Sequence, residues 1–192
     1  STIVTLSLLF IIDAFAGGFV MQAFLSYFYE KRFDFKFDDL GSILFVCNII
    51  GGISGVISSK LVKKIGALAT MIFTHLPSNI FLILIGLTSV DASYLAIIFL
   101  FLRFCISQMD VPARQTYVSM VVSSSERSAA NGITNIVRSV GLSLSFPILG
   151  IFYGYDPKST MFVVPFFIAG GLKIFYDLTL GVCFLWNKKK QE

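Results

Sequence analysis

Apolar residues fill this chain in six long runs, at about 3 to 28, 40 to 61, 66 to 87, 92 to 122, 129 to 154 and 160 to 186, and the charged residues gather mostly in the short stretches between them. A helix needs about 20 apolar residues, at about 1.5 Å of rise each, to cross roughly 30 Å of hydrocarbon. The pattern therefore predicts six transmembrane helices in one all-α bundle over residues 1–192. A closed barrel, the other solution to satisfying backbone groups in lipid, requires alternating strands of about ten residues that this chain lacks. Composition strengthens the reading: 56% of residues are hydrophobic and 14% charged, at a mean hydropathy of +0.83, where a soluble domain is about a quarter charged. A large extramembrane enzyme domain has no room in 192 residues.

The connections carry topology. Lys60, Lys63 and Lys64 in the second, Arg127 in the fourth and Lys188, Lys189 and Lys190 in the tail outnumber Lys31, Arg32, Lys36 and Lys158 on the other side. The positive-inside rule places both chain ends in the cytoplasm or the equivalent compartment of an organelle. Asp38 and Asp39 are expected to cap the amides that open the second run. The net charge of +4 is scattered and forms no continuous basic stripe, so no nucleic-acid partner is expected. Cys47, Cys105 and Cys183 are widely spaced inside apolar runs and read as buried thiols, with no metal site or disulfide framework. The chain opens Ser1-Thr2-Ile3 without an initiator Met, so it is expected to be a fragment of something longer.

Seven ionisable residues fall inside the runs: Asp13, Arg103, Asp110, Arg114, Arg138, Lys173 and Asp177. At membrane depth such groups are expensive unless paired or wetted, and they normally face a bundle interior or a water-filled path. In the fourth run Arg103, Ser107, Asp110 and Arg114 share one helical face, which fits either a path-lining helix or a self-neutralising ladder with Arg114 near the cytoplasmic surface. Pro112 in the same stretch is expected to bend or end the helix. Asn131, Asn135, Arg138 and Ser145 form a second polar stripe in the fifth run, among small residues that also suit close packing. Asp13, followed by Gly17 and Gly18, is a counter-ion for Arg103 or Arg138, or a group that gains and loses protons. Lys173 and Asp177, four apart, are expected to pair with each other. His75, before the polar break Pro77-Ser78-Asn79, reads as a satisfied interior histidine. Gly52-Ile53-Ser54-Gly55 matches the G-x-S-G string of intramembrane rhomboid proteases, but small-residue packing explains it, and no catalytic residue is assigned.

Three stretches together resemble the carboxy-terminal six-helix half of a major facilitator superfamily (MFS) transporter. Asp38-Asp39-Leu40-Gly41-Ser42-Ile43-Leu44-Phe45 is similar to the opening of that half's second helix. Gly55, Lys60, Lys63 and Lys64 fit the cytoplasmic-loop pattern G-x-x-x-D-[RK]-x-G-[RK]-[RK], with Ser59 and Val62 where the family has Asp and Gly. Pro112-Ala113-Arg114 and Glu126-Arg127-Ser128-Ala129-Ala130-Asn131-Gly132 resemble its x-P-x-R and E-R-x-x-A-x-G arrangement. The resemblance implies helices seven to twelve of a twelve-helix protein, built as two inverted three-helix repeats, with a missing amino-terminal half forming the other wall of a central cavity. It implies secondary transport of a small solute by alternating access, without cofactor; a non-transporting receptor or scaffold of the same fold is the alternative. The substrate path is then expected at Asp13, Arg103, Asp110, Asn135 and Arg138, and the cytoplasmic gate at Gly55, Lys60, Lys63, Lys64, Arg114, Glu126 and Arg127. The buried arginines lean toward an anionic solute, and Asp13 toward charge balance or proton coupling.

Overall fold

The computed structural model describes residues 2–122 and 127–186, all in helices or short connections. Eight α-helices appear among the described residues: α1 (Thr2–Gly18), α2 (Gln22–Phe33), α3 (Phe37–Ile65), α4 (Ala67–Leu87), α5 (Ser93–Ser107), α6 (Asp110–Val121), α7 (Arg127–Tyr153) and α8 (Val164–Leu180). They form six segments long and apolar enough to cross a membrane, because α1 with α2 and α5 with α6 each make one broken span.

Both breaks have local causes. Gly17 and Gly18 end α1, and the chain turns through Phe19, Val20 and Met21 before α2 begins. In the fourth span, Pro112 lacks the N–H that would bond the carbonyl of Gln108, and its ring crowds that same carbonyl. The helix accordingly stops at Ser107 and restarts at Asp110, which leaves Pro112 in the first turn of α6, where proline is tolerated.

The first connection is shorter than its charges suggest. Glu30, Lys31 and Arg32 lie within α2, and Asp34 in the left-handed region (φ 56°) turns the chain toward α3. Asp38 and Asp39 do not cap α3: its N-cap is Lys36, without a side-chain bond, and the two aspartates sit inside the first turn, where they still meet the positive end of the helix dipole. At the other end Gly66, at φ +89°, joins α3 directly to α4.

Packing is organised around α1 and α4. The first lies mainly against α7 and α8, the second against α5, α8 and α6, while α3 rests on α5. Two apolar clusters result. One gathers Phe28, Tyr29, Leu100, Phe104, Phe162 and Phe166; the other gathers Phe10, Met71, Val118, Tyr176 and Leu180. Asp13, His75, Arg138 and Lys173 fall between these two clusters along α1, α4, α7 and α8, so the charge occupies a layer at mid-bundle.

Candidate functional site

The centre of that layer is Asp13, 2% exposed. Its Oδ1 accepts from Lys173 Nζ at 2.6 Å and its Oδ2 from an Arg138 terminal nitrogen at 2.8 Å. Arg114 stands 3.6 Å from the same Oδ2, and His75 Nε2 stands 3.8 Å from Oδ1. One carboxylate thus touches α4, α6, α7 and α8 from α1.

Two further acids complete the group. Asp110 pairs with Arg114 at 2.6 Å, one turn apart on α6. Asp177 is bonded by His75 Nδ1 at 2.8 Å and by Asn79 Nδ2 at 2.9 Å. Three carboxylates therefore balance three fixed cations, with His75 placed between Asp13 and Asp177. Polar capacity is left over: Asn79 Oδ1, Asp110 Oδ1 and Tyr176 Oη are buried without a hydrogen-bond partner among the described residues.

The structure corrects one expected pairing, decides another between its two candidates and divides one expected polar face. Lys173 and Asp177 do not bond each other; α8 is wedged between α1 and α4, so Lys173 reaches Asp13 on one neighbour and Asp177 reaches His75 and Asn79 on the other. Asp13 is the counter-ion of Arg138 and not of Arg103. The polar face expected along the fourth span is divided by the break at Gln108 and Met109, which keeps Asp110 with Arg114 and leaves Arg103 apart. Arg103 is half-buried, its guanidinium 5.9 Å from the Phe104 ring centroid, its Nε buried without a partner, and it makes no ion pair among the described residues.

The other expected residues lie elsewhere. Asn135 is exposed on α7 beside a groove of about 470 Å³ shared with Ser139 and Ser143. Arg138 is the most open cation of the charged layer, its side chain 24% exposed. Lys60, Lys63 and Lys64 are exposed at the end of α3, and Arg127 is exposed at the start of α7. Arg114, which one of the two readings put near the cytoplasmic surface, pairs with Asp110 with its side chain 11% exposed, and Glu126 lies outside the described residues. His75 is the satisfied interior histidine that its surroundings suggest, but it is also part of the layer, as are Lys173, Asp177 and Asn79. The available signal was positional: His75 and Asn79 share a face of the third run, Lys173 and Asp177 share a face of the sixth, and all four sit at the depth of Asp13.

Comparison with known proteins supplies the family. Over 185 residues the chain is 28% identical to the uncharacterized membrane protein YJR124C of Saccharomyces cerevisiae, a match covering 96% of this chain and 40% of the yeast protein. The chain thus spans about two-fifths of the length of that relative. No solved structure matches significantly. The sequence pattern of the Major Facilitator Superfamily matches residues 6–192, a stretch that takes in all six spans. This integral, multi-pass membrane chain belongs to the Major Facilitator Superfamily.

Proposed function

We propose that this chain is the carboxy-terminal half of a secondary transporter that moves a small solute by alternating access, its amino-terminal half supplying the other wall of the path. The observation that carries the reading is the charged layer itself. Six fixed charges and one histidine join in one group within a membrane bundle, and Asp13, His75, Arg138 and Lys173 of that group lie between two apolar clusters. Ionisable groups at that depth are retained where a pathway or a switch needs them.

In this reading Asp13 is the balancing centre. Five spans meet at or beside it, so a change in which cation it holds would be felt by α1, α4, α6, α7 and α8 together, as rocking motions require. Arg138, the most open of its partners, is the one placed to exchange Asp13 for solute, with Asn135 nearby on α7. Arg103 makes no ion pair among the described residues, and it supports an anionic group on the solute. Both chain ends are cytoplasmic, and the segments Gly55 to Lys64 and Arg114 to Arg127 shape the gate on that side.

The test is counterflow by the full-length protein in proteoliposomes with a panel of small carboxylates and neutral solutes, alongside thermal stabilisation by the same panel. Transport that is lost in Arg103→Leu and kept in part in Arg103→Lys supports the reading. Neither counterflow nor stabilisation by any solute would favour a non-transporting scaffold, and unchanged uptake in Arg138→Gln would remove that residue from the path.

A further inference from the structure

A cleft of about 310 Å³ lies between α3 and the break in the fourth span, lined by Asn48, Gly52 and Gly55 on one side and by Gln108, Val111 and Pro112 on the other. It is separate from the charged layer, and its polar groups are two primary amides. Asn48 and Gln108 are both exposed, near the middle of their spans, and neither side chain has a hydrogen-bond partner among the described residues. Beside Gln108, Ser107 Oγ is buried and also unpartnered. Amide groups without partners are several kcal/mol too costly to face hydrocarbon, so at this depth they face water, a ligand or polar groups of the amino-terminal half.

The wall is built for access. Gly52 has nothing within 4 Å of where a Cβ would stand, and a Cβ on Gly55 would stand 3.9 Å from the Gln108 carbonyl oxygen. That carbonyl is the one Pro112 deprives of its helical donor. Broken helices in membranes are tolerated where their free backbone groups line a protein cavity, and the next carbonyl, of Met109, is already taken by Ser58 Oγ at 2.6 Å.

We propose that this cleft binds the uncharged, hydroxyl- or amide-bearing part of the transported solute, with Asn48 and Gln108 as its hydrogen-bonding residues. Each amide offers both donors and an acceptor, no charged side chain lines the cleft, and its volume suits a small polar group. The position also gives it leverage. Val111 and Pro112 line the cleft while Asp110 and Arg114 of the same short helix enter the charged layer, so α6 touches an occupant on one face and the Asp13 group on the other. This inference deepens the transport reading and rests on it.

The experiment uses the full-length protein in membranes, its native cysteines replaced, with Asn48→Cys or Gln108→Cys introduced singly and a hydrophilic, membrane-impermeant methanethiosulfonate as probe. Both cysteines react at least tenfold faster than Phe175→Cys on the exposed face of α8. Gly52→Leu, whose Cβ would have nothing within 4 Å, slows both at least tenfold without lowering the unfolding temperature, whereas Gly171→Leu on α8 does not. Inositol, glucose or glutamine protects at least one of the two positions threefold or more. Labelling no faster than at Phe175, indifference to Gly52→Leu, or protection by none of the three overturns the inference. Labelling needs no transport, so a wet, pluggable, protectable cleft in a protein without counterflow would instead refute the transport reading.

Discussion

Removing the Asp13 carboxylate is the sharpest perturbation of this fold. In Asp13→Asn the shape is kept, but the one remaining amide oxygen can accept from only one of Lys173 and Arg138, which now sit 2.6 and 2.8 Å from the two carboxylate oxygens, and neither cation keeps a counter-charge there. Arg114 still has Asp110 at 2.6 Å. Breaking a buried pair by deleting one member costs about 3–5 kcal/mol, because the survivor stays buried and uncompensated. The Lys173 side chain is 9% exposed and the Arg138 side chain 24%, so the lysine carries most of this loss and the arginine is partly screened. For a chain of this size the loss is on the order of 10 °C in the unfolding midpoint. Lys173→Met should cost less, about 1–3 kcal/mol, since Asp13 keeps Arg138 at 2.8 Å and Arg114 at 3.6 Å. Combining the two removes one charge of each sign, and the double variant should be more stable than the sum of the single losses by about 1–3 kcal/mol. The assay is thermal unfolding of the purified protein in detergent, followed by fluorescence for all four members of the cycle. Equal losses in the two single variants, or strict additivity in the double, would refute the shared-carboxylate account.

Other expectations test the scaffold around that layer. Gly141→Ala places a Cβ 2.8 Å from the Ile11 carbonyl oxygen at the α1 and α7 contact and should destabilise by about 1–3 kcal/mol, whereas Gly132→Ala on the same helix meets nothing within 4 Å and should be neutral or stabilising by up to about 1 kcal/mol; melting curves that rank the two the other way would contradict the packing. Tyr29→Phe deletes the 2.8 Å bond to the Ala96 carbonyl that ties α2 to α5 and should lower stability by about 0.5–1.5 kcal/mol, read in the same assay. Ser58→Ala leaves the Met109 carbonyl at the break without its 2.6 Å donor and should cost about 1–3 kcal/mol, together with faster hydrogen exchange in residues 106–112 than in α4; uniform exchange would show that Ser58 does not pin the break.

The sequence by itself determined the six spans, because apolar length against bilayer thickness is a local property, and it determined which residues lie at mid-depth. It left open whether Asp110 and Arg114 line a path or neutralise each other; the structure pairs them, as residues four apart on one helix are placed to do. The same rule failed for Lys173 and Asp177: sharing a face makes a pair possible, but α1 and α4 press on that face and offer each side chain a better partner. Pro112 announced a break in the fourth span, yet its consequence for Arg103, cut off from the polar face it was expected to share, follows from where the helix restarts. The convergence on Asp13 was decided only by tertiary structure. His75, Arg114, Arg138 and Lys173 come from four different helices, and periodicity says which side of a helix is polar without saying which neighbour that side will meet. Helix order and rotation in the bundle settle that, because a buried charge stays where an opposite charge from another helix closes the distance.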